Sequence, residues 1–93
     1  MTSINDIEEV ESFAVYPNPA KDYAVVEAVF TEQLSVSIEL FDAVGRIVRR
    51  QDYKDLTKLE HTIDFTSLPT GIFYIKLSVE DYPPVGQKVI HLR

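Results

Sequence analysis

From Phe13 onward, apolar residues recur at every second position in short runs, and strand-breaking residues separate the runs at intervals of about ten. This spacing predicts about seven strands, at 13–16, 23–30, 35–41, 46–53, 59–65, 72–79 and 87–92. Side chains alternate across a strand, so each run assigns its own faces. Ala24, Val26, Ala28 and Phe30 share one face of the second run, while Val36, Ile38 and Leu40 point inward from the third and Ser37 and Glu39 meet water. Ile63 and Phe65 lie on one side of the fifth, opposite Thr62 and Asp64. Phe73, Ile75, Leu77 and Val79 supply core from the sixth, and in the last run Val89 faces away from Ile90.

The residues between the runs say where the chain turns. In Pro17-Asn18-Pro19 each proline removes a ladder donor and restricts the residue before it. Asp42-Ala43-Val44-Gly45 has the Asp-first, Gly-fourth preference of a type I turn, and a left-handed Gly45 completes a hairpin. A looser loop is predicted at 54–58. Leu68-Pro69-Thr70-Gly71 repeats the turn logic and predicts at Gly71 either a positive φ or a position too tight for a side chain, and Tyr82-Pro83-Pro84 breaks the chain again. The pattern is that of an all-β domain, an Ig-like antiparallel β-sandwich of about seven strands, although periodicity alone also admits a closed barrel. Residues 1–12 carry Asp6, Glu8, Glu9 and Glu11 without the alternation and read as a flexible acidic linker, or else a short amphipathic helix, ahead of a domain at 13–93.

Composition narrows the function classes. The chain has 93 residues, 45% of them hydrophobic and 26% charged, which is enough to fold alone as one domain. Size scaling gives roughly 5,500 Å² of folded surface. A net charge of −6 speaks against a nucleic-acid partner; Arg46, Arg49 and Arg50 form the one basic cluster and read as a solvated strand face. No cysteine is present, so disulfides, thiolate nucleophiles and cysteine-based zinc sites are excluded. Residues 1–10 lack the basic start and apolar middle of a signal peptide.

Catalytic constellations are equally thin. His61 and His91 are the two histidines, with only Glu60 and Asp64 near in sequence, and both read as exposed strand residues. Ser35, Ser37, Ser67 and Ser78 lack the Gly-x-Ser-x-Gly elbow. The carboxylates are spread over linker, turns and solvent faces, and the Asp6 to Glu11 group lacks EF-hand spacing. Tyr16, Tyr23, Tyr53, Tyr74 and Tyr82 read as sheet or core packing ahead of a sugar-stacking platform. The expectation is a domain with no enzymatic activity, metal, cofactor or small-molecule substrate.

Four segments in order carry a resemblance: the acidic lead-in with FAVYPNPA (13–20), IELFDAVGR (38–46), LPTGIFYIKL (68–77), and Lys88-Val89-Ile90 near the C-terminus. Over residues 7–93 the chain resembles the C-terminal sorting domain of the type IX, or Por, secretion system of Bacteroidetes-type bacteria. The resemblance implies a domain at the end of a larger cargo protein that crosses the inner membrane by its own signal peptide and folds in the periplasm. Outer-membrane secretion components then recognise it, and a sortase commonly removes it and couples the cargo to anionic lipopolysaccharide. The acidic linker is then the cleavage region. Carried over by position, the sorting-motif residues are Pro17, Asn18, Pro19, Gly45, Arg46, Gly71, Tyr74, Lys88 and Val89. An exposed cation adds little to a fold, so Arg46 and Lys88, with Arg93 beside them, are the candidates for direct partner contact. The segment Tyr82-Pro83-Pro84-Val85-Gly86 departs from the short polar hairpin of relatives. The alternative reading is an Ig-like adhesion or carbohydrate-binding accessory module; the sorting reading requires an upstream signal peptide and cargo domain.

Overall fold

The computed structural model describes residues 10–93. It contains β1 (Val10–Tyr16), β2 (Tyr23–Phe41), β3 (Ile47–Asp64), β4 (Gly71–Val79) and β5 (Val85–His91). The strands form one antiparallel sheet in the order β1-β2-β4-β5, with β3 along the opposite edge of β2. Residues 1–9, most of the predicted linker, lie outside the described residues, and β1 already begins at Val10, ahead of Phe13.

The count is therefore five strands in one sheet, not seven in two. The predicted strands at 23–30 and 35–41 are one continuous β2, and those at 46–53 and 59–65 are one continuous β3 that passes through the predicted 54–58 loop. A straight strand of the 19 residues of β2 would measure about 60 Å at the usual rise per residue, yet the longest axis of the molecule is 37 Å. The strand must curl back on itself. It does so at Thr31, Glu32 and Gln33, where three consecutive exposed residues interrupt the alternation. There β2 bulges: from Val29 to Leu34 its partners advance only from Lys58 to Leu56. On β3 the bend falls at Asp55, which adopts a φ of 55°, a left-handed value that Asp tolerates better than most side chains.

Because β2 keeps one face inward through the bend, Ala24, Val26, Ala28 and Phe30 meet Leu34, Val36, Ile38 and Leu40 across the concave side of the sheet. β4 adds Phe73, Ile75, Leu77 and Val79, and β5 adds Val85 and Val89, all buried. The inward faces predicted for these runs are those observed, and Val89 is buried beside exposed Ile90, but Glu39, expected to meet water, is only 7% exposed because Arg50 and Lys76 cover its carboxylate with ion pairs. The pairing across the Tyr82-Pro83-Pro84 segment is antiparallel, with Leu77 opposite Val85 and Gly71 opposite His91.

His91 corrects the reading of both histidines as exposed. It shares the inward face of Val89, is 5% exposed, and stacks on Phe65 with ring centroids 5.0 Å apart. Its Nδ1 lies 3.3 Å from the Ala20 carbonyl and its Nε2 3.2 Å from that of Leu68; a neutral ring has one N–H and donates to one of the two, so the ring is wedged between the two loops. His61 is half-buried, with Nδ1 at 2.7 Å from the Tyr53 hydroxyl, and burial holds its pKa below the ordinary imidazole value.

Candidate functional site

The residues that the resemblance marks as the sorting motif lie far apart in sequence, and β5 is where most of them meet. The chain leaves β1, runs along the free edge of β5, and only then returns to begin β2. Asn18 makes the contact through its side chain: Nδ2 donates to the Lys88 carbonyl at 2.9 Å, and Oδ1 accepts from the Ile90 amide at 3.1 Å. A side-chain amide carries the same donor and acceptor as a peptide group, so it substitutes for a neighbouring strand. Ala20 continues the pairing, its N–H donating to the Ile90 carbonyl and its carbonyl accepting from Leu92, both at 2.8 Å. Ala20 is fully buried. Pro17 and Pro19, both preceded by cis peptide bonds, flank Asn18. The expected redirection of the chain at Pro17-Asn18-Pro19 is present, and it also fastens β5.

The Asp42 to Arg46 turn is built around one carboxylate. Gly45 donates its N–H to the Asp42 carbonyl at 3.0 Å with a φ of 90°, the left-handed glycine that the hairpin needs. Asp42 Oδ1 accepts from the amides of Val44 and Arg46, and Oδ2 from the Arg46 Nε at 2.9 Å. The Arg46 amide above all, with its guanidinium and the Val44 amide, holds the Asp42 carboxyl below its ordinary pKa. Arg46 thus has a role inside the turn, yet its side chain is 79% exposed. The neighbouring arginines are also committed: Arg49 donates to the Ser67 hydroxyl, and Arg50 bridges Glu39 and Asp52. Lys88 differs, having no carboxylate within ion-pairing distance among the described residues.

Gly71 opens β4 with a φ of 144°, as the turn chemistry predicts. The hydrogen-bonded turn itself lies three residues earlier, closed by the Leu68 amide on the Phe65 carbonyl at 2.9 Å, because Asp64 captures the amide and hydroxyl of Thr66 and starts the turn there. Nothing stands within 4 Å of where a Cβ at Gly71 would lie, so a side chain there meets backbone strain alone. Gly71→Val is expected to lower stability by about 1–3 kcal/mol, with Gly71→Ala showing much of the same loss. Denaturant midpoints check this, and an unchanged midpoint removes the argument.

The 42–46 turn borders Pro69, Thr70, Gly71 and Ile72 across a shallow groove, and a second groove places Lys21, Asp22 and Thr70 beside His91 and Arg93. In the sheet, Phe41, Tyr74 and Lys88 stand in one row on the outer face, beside the row formed by Ile72 and Ile90. Motif residues from the first loop, the 42–46 turn, the start of β4 and β5 are therefore gathered at one end and edge of the molecule. Val89 is buried and serves the core. The tyrosines divide: Tyr16, Tyr23 and Tyr74 are exposed, whereas Tyr53 and Tyr82 pack on the core. Sequence reasoning missed the pairing of Asn18, the burial of His91 and the carboxylate cage of Asp42. The strict alternation of Val89 and His91 was the available signal for the second.

These features define the class: an all-β domain in which segments distant in sequence assemble on one surface. Residues 14–91 match the family model of the secretion system C-terminal sorting domain, and the chain belongs to that family. It is a sorting signal of the type IX secretion system, a family of addressing domains and not of enzymes, and it implies export to the cell surface or the medium. No curated protein matches the chain.

Proposed function

We propose that the folded domain, and not a linear C-terminal tag, is the address that the secretion machinery reads on a larger cargo protein. The observation that carries this reading is the fastening of β5 by Asn18 and Ala20, which gives Lys88 and the segment around it one fixed position. Arg46, Tyr74, Lys88 and Arg93 are the residues that contact outer-membrane components; Pro17, Asn18, Pro19, Gly45, Gly71 and Val89 hold them in place. The cargo precedes the domain, reaches the periplasm by its own signal, and is released by a sortase acting within the acidic segment at 1–12. A folded epitope suits this task, since its ordering entropy is spent before the receptor arrives.

A reporter carrying a signal peptide and fused ahead of residues 1–93, expressed in a bacterium with a type IX system, tests the reading. Export to the surface or medium is expected for the intact fusion, and deletion of residues 87–93 is expected to leave the reporter in the periplasm. Undiminished export of the deleted fusion would falsify the assignment of β5 to the signal.

A further inference from the structure

β5 pairs with β4 along one side only. On its other side the outward backbone groups belong to alternate residues. The Lys88 carbonyl, both groups of Ile90 and the Leu92 amide are answered by Asn18 and Ala20. By the same alternation the N–H and carbonyl of Gly86 and the N–H of Lys88 point outward, and no group among the described residues meets them. The edge is closed at one end and open at the other.

Gly86 has no structural reason to be glycine. Its φ is not in the left-handed range, and an added Cβ would meet only the Ile75 carbonyl at 3.5 Å, an ordinary contact. Glycine weakens a strand and often marks the close approach of a ligand or of another backbone. Here it leaves a gap in the outer-face row between Pro84 and Lys88, directly opposite Lys76. The gap opens onto a groove of about 470 Å³ lined by Phe41, Tyr74 and Lys76. Lys76 sits 5.4 Å from the centre of the Phe41 ring and shares Glu39 with Arg50, while Lys88 is unpaired among the described residues. Tyr74 and Ile72, 46% and 43% exposed, extend the apolar surface.

We propose that the edge from Val85 to Lys88 is a strand-docking site. Its occupant is an extended, acidic segment of a partner polypeptide that adds a strand beside β5. One of its large apolar side chains crosses over Gly86 into the Phe41–Tyr74 groove, and its carboxylates meet Lys88 and Lys76. Alternating outward donors and an acceptor call for a peptide backbone, and the two lysines beside this stretch, on a chain of net charge −6, favour an acidic strand. Pro84 and Lys88 bracket the open stretch and keep it too short for open-ended pairing of copies. The open edge, the gap at Gly86 and the groove beside it are independent of the sorting role, and they accept the strand whichever protein supplies it.

The test uses the isotope-labelled full chain and the synthetic peptide Asp-Val-Glu-Phe-Glu-Val-Asp, followed by amide chemical shifts. Saturable shifts centred on Gly86 and Lys88 are expected. Gly86→Val should weaken binding by about tenfold or more while the fold persists, and Lys88→Glu should do so if the first variant unfolds. A peptide with lysine in place of its acidic residues, or one N-methylated at alternate amides, should bind about tenfold more weakly as well. The proposal is overturned by the absence of saturable shifts at millimolar peptide, by equal binding of the N-methylated peptide, or by shifts centred elsewhere. Sedimentation showing a dimer whose interface covers the same amides would assign the edge to a second copy and equally overturn it.

Discussion

Changing Leu40 and Leu77 together to Asp in the reporter fusion should abolish export, although residues 87–93 remain intact. Both side chains are fully buried in adjacent strands, where Leu40 pairs with Ile75 and Leu77 with Ile38. An ionised carboxylate placed there without a partner costs several kcal/mol. Two of them approach or exceed the whole stability of a domain this size, about 5–15 kcal/mol. The variant is unfolded, so Lys88 and Arg93 are still present but no longer held beside Tyr74 and the 42–46 turn. Circular dichroism of the purified domain establishes the unfolding, and fractionation of cells reads the export. Export at the intact level would mean that the tail is read as a linear signal.

Phe65→Ala should be the most damaging single truncation. Phe65 is fully buried, meets Phe73 edge-on at 5.5 Å, and stacks on His91. Its amide donates to the Asp22 carbonyl and its carbonyl accepts from Leu68. The ring therefore fills the point where the loop after β1, the turn before β4 and the end of β5 converge. Removing such a ring costs about 3–5 kcal/mol, the transfer term plus the cavity left behind. For a domain of this length that lowers the melting temperature by more than about 12 °C, measurable by calorimetry. A shift of only a few degrees would show that the convergence point collapses onto the vacancy and that His91 is held by its carbonyl contacts alone.

Much of the fold was legible because burial on one face of a strand writes itself into alternate positions. Ala24 to Phe30, Val36 to Leu40 and Phe73 to Val79 could be assigned inward without knowing their partners. The joining of the predicted strands was not legible for the same reason. At Thr31, Glu32 and Gln33 the alternation lapses and no glycine or proline stands there, so a bend within a strand looks like a gap between strands. Asp55 likewise turns β3 with a backbone angle that its residue type permits but does not announce. At the candidate site, glycine chemistry disclosed Gly45 and Gly71, whose needs are local. The partners of Asn18 lie 70 and 72 positions away, and no local pattern carries that register. The two neighbours of Asn18 have no N–H, which hinted at an edge but not at which edge.

That long reach ties the shape of the domain to its completion. Asn18 and Ala20 are made early, and the backbone groups they bind belong to the closing strand. A chain interrupted anywhere before β5 leaves the amide of Asn18 with nothing to hold, strips β4 of its second neighbour, and removes Val85, Val89 and His91 from the core. Pairings so distant in sequence also form late and slowly. The loop after β1 and the closing strand therefore work as two halves of a seal: it can close only on a polypeptide that has been synthesised through its final strand, so a truncated product lacks the finished surface.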